Sequence, residues 1–185
     1  MIRGTGDIRD LEGSTKPAIQ AQKLDISTRG DVGEKENPLS LKIQELKADG
    51  ENIYIENEED LIIDSIHADE EIKLDVGGDI KMKDQNSIIS GERLEATIDG
   101  NFGEKDAPVR TNLDKILLHA ENIFIHNISD RLDIEGMYGK DIDLTAKGDV
   151  SGKDIVADNL TILANGNAGY RDNPLYIYVT GNVNI

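Results

Sequence analysis

The chain has 185 residues and a formal charge of −17, from 37 acidic and 20 basic side chains. This acidity argues against nucleic acid or anionic lipid as a partner, because their phosphate groups would be repelled. Hydrophobic residues make up 37% and aromatic residues 4%, which is sparse for a compact domain and typical of an elongated repeat protein.

In chain order, the first element to stand out is a short segment that occurs three times. Its copies, which we call motif loops 1, 2 and 3, are 30–39 (GDVGEKENPL), 100–109 (GNFGEKDAPV) and 166–175 (GNAGYRDNPL), at offsets of 70 and 66 residues. Such a period predicts a repeat architecture. Two glycines and a proline recur in every copy, and we interpret them as structural turn residues: Gly30, Gly33, Pro38, Gly100, Gly103, Pro108, Gly166, Gly169 and Pro174.

The repeated unit is wider than these loops. An isoleucine stands 20 residues before the last residue of each loop, and the segment 51–57 recurs as 121–127. We therefore divide a single segment, 1–185, into units of about 19–88 and 89–154 and a partial unit, 155–185.

Between the loops, apolar residues alternate with polar ones in short runs such as Ile53/Ile55 and Ile142/Leu144. A period of two predicts strands with one buried face, and no stretch shows a helical period. The asparagines that flank these runs, Asn52, Asn57, Asn122 and Asn127, are expected to hydrogen-bond between neighbouring layers. The sequence predicts an all-β fold.

The spacing of these runs predicts a parallel β-helix, or β-solenoid. Strand starts recur every 6 to 9 residues, and grouping them in threes gives about 23 residues per coil, with three coils in each 70-residue unit. An antiparallel sandwich would not explain why the same register recurs in successive units. Neither end of the sequence shows a polar cap or a signal-peptide core. We therefore expect the chain to be a fragment of a much longer repeat protein. The exposed ends of such a fragment could associate end to end.

These repeats resemble those of large bacterial surface proteins of the filamentous haemagglutinin and leukotoxin type. The matching segments are Ala21 to Leu39, Gly50 to Ile55 and Ala157 to Leu175, and the middle copy is looser, with Ala107 in place of Asn. The resemblance implies a right-handed β-helical shaft of a cell-surface or secreted adhesin. It also implies export through an outer-membrane transporter, and a receptor or glycan on host or bacterial cells as the partner of the parent protein.

Candidate metal ligands are few. The acidic runs 56–60 and 69–71 could offer oxygen ligands to calcium, but they lack the spacing of known calcium-binding loops, and we interpret them as solvated turns. His67, His119 and His126 have no evident third ligand for zinc. The chain has no cysteine, which excludes disulfides and thiolate catalysis. We expect no cofactor, and calcium is the one alternative that the acidic runs leave open.

Outward carboxylate pairs arise on any β-solenoid, so they do not by themselves indicate glycoside cleavage. Tyr176 and Tyr178 alternate with Ile177 and are candidate ligand contacts on one strand face. The sequence favours a non-catalytic shaft. The alternatives are the shaft of a leukotoxin or contact-dependent toxin-delivery protein, a polysaccharide-active β-helix enzyme, and a cytoplasmic polymer-forming scaffold.

Overall fold

The computed structural model describes residues 1–10 and 16–185. All regular secondary structure in those residues is β-strand, which confirms the all-β prediction. The strands are β1 (Ile2–Arg3), β2 (Ile19–Ser27), β3 (Leu39–Gly50), β4 (Ile53–Asn57), β5 (Leu61–Ala68), β6 (Glu71–Val76), β7 (Ile80–Met82), β8 (Ile88–Ile98), β9 (Val109–His119), β10 (Ile123–Asn127), β11 (Arg131–Tyr138), β12 (Asp141–Ala146), β13 (Asp149–Ala157), β14 (Asn159–Ala164), β15 (Leu175–Val179) and β16 (Val183–Asn184).

Every pairing between these strands is parallel, and the chain winds into a β-solenoid of about nine turns. The parallel β-helix expected from the repeat is confirmed. Its handedness stays a prediction. At about 4.8 Å per coil, nine coils make a rod on the order of 40 Å long.

The pairings connect the strands into two columns that run along the solenoid axis. Column one passes through Ile26, Ala48, Ile66, Ile89 and Thr111. Column two passes through Val32, Ile53, Ile72, Leu94 and Ile116. Strands β2, β3, β8 and β9 contribute one part to each column. A coil therefore contributes to two columns, and in the coil 80–98 column one is divided between β7 and the first part of β8.

Coils are also shorter than expected, with about 19 residues between them rather than 23. A coil that carries a motif loop contains more residues, as from Leu94 to Ile116, because the residues of the loop project outward and do not advance the chain along the solenoid axis. A coil without a projecting loop contains fewer, as from Ile53 to Ile72. The sequence estimate came from averaging over an incorrect grouping of strands.

The 70-residue unit consequently spans three and a half coils rather than three. Three coils of column two lead from Val32 to Leu94, and half a coil later the equivalent of Val32, Phe102, lies in column one. Ala168, the third equivalent, pairs with Val150 and returns to column two. Motif loops 1 and 3 thus lie on one column and motif loop 2 on the other.

The core is a stack of aliphatic side chains, because every second residue of each strand points inward and meets its counterpart in the next coil. One such row in column two runs through Ile55, Leu74, Ala96, Leu118 and Met137, each at most 1% exposed. Burying an aliphatic side chain of this size is worth about 1.5–3 kcal/mol. Repetition of such rows over the coils stabilises the rod.

Two of the asparagines that flank the apolar runs, Asn57 and Asn127, lie in this interior. Asn57 is 1% exposed, and its side chain accepts a hydrogen bond from Ile43 N (3.0 Å) and donates to Ile43 O (3.2 Å). Asn127 makes the equivalent pair with Leu113 (3.1 and 3.2 Å). Their predicted bonding between coils is confirmed. Both serve the backbone where β3 and β9 pass from one column to the other.

Candidate binding surface

The three motif loops share one construction. A single residue pairs within its column, a four-residue hairpin then projects outward, and the strand resumes directly after the proline at Leu39, Val109 or Leu175. In motif loop 1 the hairpin is closed by two backbone hydrogen bonds between Glu34 and Asn37, both 3.1 Å. Proline fits this position because the first residue of a strand need not donate to its neighbour.

The first glycine of each motif makes room for an aspartate of the preceding coil. A Cβ atom at Gly30, Gly100 or Gly166 would overlap a carboxylate oxygen of Asp7, Asp79 or Asp149 respectively. That same oxygen accepts a hydrogen bond from the next backbone N–H, at 3.1, 2.7 and 2.7 Å. The carboxylate thus ties one coil to the next, and glycine is required beside it. This supports the structural role predicted for these glycines.

The second glycine of each motif has a positive φ, of 76° at Gly33, 84° at Gly103 and 72° at Gly169. This left-handed conformation favours glycine, because other residues suffer steric strain there. It turns the chain out of the column into the hairpin. Gly33, Gly103 and Gly169 therefore have the backbone conformation that a turn requires, and the turn role of the full set of nine residues stays a prediction.

Motif loop 1 is fastened to the coils that follow it. Lys35 Nζ lies 2.8 Å from a Glu71 carboxylate oxygen, and Tyr54 Oη donates to the same carboxylate at 3.2 Å. Arg93 pairs with Glu71 and also with Glu95 (2.9 Å) and Glu135 (2.8 Å). We call Lys35, Tyr54, Glu71, Arg93, Glu95 and Glu135 the polar clamp. It joins coils far apart in sequence.

The polar clamp shifts the titration of its members. Burial of Tyr54, followed by the negative charge of Glu71, raises its pKa to about 12. Burial would raise the pKa of Glu71, but the hydrogen bond and charge of Lys35 together with Arg93 outweigh it and hold that pKa below the usual value. The carboxylate of Glu71 is therefore ionised at neutral pH.

Motif loop 2 borders an open groove. This groove, of about 570 Å³, lies between the loop and the turn 83–87 of the preceding coil. Its lining includes Met82, Pro108, Arg110 and His126, and Arg110 donates to the backbone oxygen of Gln85 at 3.2 Å. Where motif loop 1 has Lys35 bound across its neighbours, Lys105 of motif loop 2 has no ion pair within the described residues. No clamp comparable to that of motif loop 1 fastens this loop in the part of the chain that the structure describes.

Motif loop 3 carries the two tyrosines singled out from sequence. Tyr176 is 57% exposed and lines a groove of about 360 Å³ with Pro174, Lys153 and Glu135. Tyr178 is 63% exposed and borders a second groove, of about 430 Å³. Both side chains point outward from β15, as their alternation predicts. They are placed to meet a ligand, and whether they bind one stays a prediction.

Tyr178 also ends an outward row of column two. His119, Tyr138, Val156 and Tyr178 are successive partners along this row. The rings of His119 and Tyr138 stack in parallel with centroids 4.3 Å apart. Because these two rings face each other, the stack stabilises adjacent coils.

The acidic runs are largely engaged within the protein. Glu58 and Glu59 pair with Lys42 (3.1 and 3.0 Å), and Asp69 lies 3.8 Å from His67. His126 lines the groove of motif loop 2. Within residues 1–10 and 16–185, no group of three or more potential ligand side chains stands close enough to hold a metal ion.

One repeated feature of the structure was not predicted from the sequence. An Asp or Asn directly precedes each column-one segment over seven consecutive coils, and each of the first six accepts a hydrogen bond from the next, at 2.7–3.2 Å. This side-chain ladder comprises Asp60, Asp79, Asn101, Asn122, Asp141, Asn159 and Asn182. A signal was available, because an Asp or Asn followed by an apolar residue recurs at each of these positions. The ladder fastens one edge of the rod.

Comparison of the chain with protein-family models, with curated proteins and with solved structures finds no match. A search of the described residues finds no helix long and apolar enough to cross a membrane.

Proposed function

We propose that the chain is a structural shaft segment of a bacterial cell-surface or secreted adhesin, and that it presents a binding region rather than catalysing a reaction. The observation that carries this proposal is the continuous stacking of about nine coils around one aliphatic core. Each coil contacts mainly its neighbours, so the unit extends by repetition and resists bending along its whole length.

The edges of the rod support the same role. The side-chain ladder fastens seven coils along one edge. Within the described residues, every buried side-chain nitrogen or oxygen has a hydrogen-bond partner. Acidic outward faces keep such a rod soluble and prevent lateral sticking. The partner of the parent protein would be a receptor or glycan on host or bacterial cells.

Protease shaving of intact source cells tests the proposal. Antibody raised against the chain should detect the protein in whole-cell extracts, and brief protease treatment of intact cells should remove that signal while a cytoplasmic marker survives. A signal that resists shaving until the cells are lysed would overturn the proposal. That result would favour an intracellular polymer-forming scaffold.

A further inference from the structure

The groove beside motif loop 2 has two walls, which come from adjacent coils in the middle of the rod. One wall is the motif hairpin, closed by backbone hydrogen bonds between Glu104 and Ala107 at 3.1 and 3.0 Å. The other wall is the turn 83–87, in which Ser87 N donates to Asp84 O (3.2 Å) and Asp84 N donates to Ser87 Oγ (3.1 Å). Because each wall is held by its own hydrogen bonds, a ligand binds here without first having to order the chain.

Two basic side chains lie side by side in this groove. Arg110 of β9 and His126 of β10 are register partners, and paired strands lie about 4.8 Å apart. The Arg110 side chain donates to the backbone oxygen of Gln85 at 3.2 Å and has no carboxylate partner within residues 1–10 and 16–185. A guanidinium group has five N–H donors in a planar fork, which matches the two oxygens of a carboxylate. Arg110 therefore retains donors for an anionic group, and the imidazole of His126 can donate one more.

The same register occurs beside motif loop 1, but with different side chains. There Ser40 pairs with Glu56, and these residues stand 70 positions before Arg110 and His126. In motif loop 3 the residue equivalent to Arg110 is Tyr176. The two glycines and the proline recur in all three copies, whereas the outward residue directly after the loop differs in each. The basic pair is thus specific to motif loop 2 and is not a consequence of the repeat.

We propose that this groove binds a carboxylate-bearing saccharide, such as a uronate residue of a surface polysaccharide, with its carboxylate held by Arg110 and His126. The remaining lining residues suit the rest of a sugar ring. Asp84, Gln85 and Asp106 offer oxygen acceptors to its hydroxyl groups, and Met82 and Pro108 offer an apolar surface to its C–H groups. The volume of about 570 Å³ is in the usual range for a small-ligand site. The site lies on the shaft itself, and its setting at a cell surface rests on the proposed function.

A saccharide fits this position better than an acidic peptide does. Extended peptides bind many β proteins by adding a strand to an exposed sheet edge. The strands at the groove offer no such edge, because β9 pairs with β8 and β10, and β10 pairs with β12 as well. The net charge of −17 repels a long polyanion of either kind. The ligand is therefore expected to be short, with one carboxylate in the groove.

Titration of the ¹⁵N-labelled chain with trigalacturonate, followed by NMR at an ionic strength of about 0.15 M, tests the proposal. The amide signals of residues 83–87, 104–110 and 126 should shift to saturation, and those of motif loop 1 should not. The neutral trisaccharide maltotriose should leave all of them in place. Arg110→Ser should weaken binding at least about tenfold, because it removes the guanidinium fork. The equivalent position of motif loop 1 is Ser40, so the fold accepts serine there.

Lys105→Ser is the matched control. It removes the same charge from the hairpin tip, outside the lining of the groove, and should bind like the wild type. His126→Glu introduces the residue that the first unit has at this register position, Glu56. It should abolish the shifts, because its carboxylate repels that of the ligand.

The proposal would be overturned if trigalacturonate left the groove signals of the wild type unchanged, if maltotriose shifted them equally, or if Arg110→Ser bound as tightly as the wild type. Triglutamate that bound as tightly as trigalacturonate would also overturn it, because the groove would then recognise a carboxylate without a sugar ring. Protease shaving tests where the protein lies, whereas this titration tests what the purified chain binds. Each can therefore fail without the other.

Discussion

Motif loops 1 and 3 lie on the same column and share the same hairpin, yet their surroundings differ. Both use a glycine with positive φ, and both are tied to an aspartate of the preceding coil. Above motif loop 1, however, later coils supply Tyr54, Glu71 and Arg93, which fasten it, whereas motif loop 3 lies on the last coil with Tyr176 and Tyr178 exposed beside it. The conformation of a repeat is thus set by the coil before it, and its accessibility by the coils after it.

The largest expected effect comes from the second glycine of the motif. A Cβ atom at Gly33 would overlap the backbone oxygen of Tyr54, whereas at Gly169 the nearest atom, Leu175 N, is 3.0 Å away. The positive φ alone costs a non-glycine residue about 1–2 kcal/mol. We expect Gly169→Ala to lower the free energy of unfolding by about that amount, and Gly33→Ala to lower it by about 3 kcal/mol or more because of the added clash. Urea unfolding followed by circular dichroism measures both.

Equal losses in the two variants would show that the coil above motif loop 1 yields to the added methyl group. The influence of later coils on the loop would then be smaller than the geometry indicates.

A second comparison sets a buried asparagine, Asn57, against an exposed one, Asn182. Asn57→Leu removes the partners of the N–H and C=O of Ile43, and leaving such buried groups unpaired costs about 1–3 kcal/mol each. We expect a loss of about 3 kcal/mol in the free energy of unfolding, measured by the same urea titration. Asn182→Leu, at the exposed last rung of the side-chain ladder, should lose less than about 1 kcal/mol. A similar loss at both sites would contradict the assignment of Asn57 as an interior anchor.

The polar clamp gives a smaller effect than Gly33 or Asn57, and one that depends on pH. Glu71→Gln removes the charge that pairs with Lys35 and Arg93 and should lower the free energy of unfolding by about 2 kcal/mol at neutral pH. The pKa of Glu71 is lower in the folded protein, so the unfolded chain takes up its proton first as the pH falls. The contribution of Glu71 is therefore present at neutral pH and is lost progressively below its ordinary pKa of 4.5.

The difference between the wild type and Glu71→Gln should accordingly shrink as the pH falls through that region, which urea unfolding at a series of pH values measures. Glu70→Gln provides a matched control, because Glu70 is exposed and its replacement removes the same charge from the neighbouring position. A gap between wild type and Glu71→Gln that stays constant down to acid pH would exclude the ion pairs as its cause.

The strands and the solenoid could be predicted from the sequence because alternation at positions such as Ile53/Ile55 needs only a buried face and a solvated face. The number of residues per coil, and the column on which each strand segment lies, could not be predicted. An average over all strand starts counts the residues of each projecting loop as if they advanced the chain along the solenoid axis. Residues 33–38 instead project sideways, and Val32 and Leu39 pair with nearby residues of β4. The repeated dipeptides that begin with Asp60, Asp79 and Asn101 would have given the coil length directly.

The candidate binding surface was less accessible to sequence reasoning. The exposure of Tyr176 and Tyr178 followed from alternation, but the grooves beside them depend on Lys153 and Lys140, which come from earlier coils. The polar clamp was missed for the same reason: Lys35, Glu71 and Glu135 are distant in sequence and meet only through coil stacking. Pairings of this kind depend on register, which a single repeat unit does not reveal.

The offset of three and a half coils gives the rod an approximate twofold screw symmetry. Each unit is related to the next by a half-turn about the axis and a translation of roughly 17 Å, at about 4.8 Å per coil. Motif loops 1 and 3 therefore face one side of the rod about 34 Å apart, and motif loop 2 faces the opposite side midway between them.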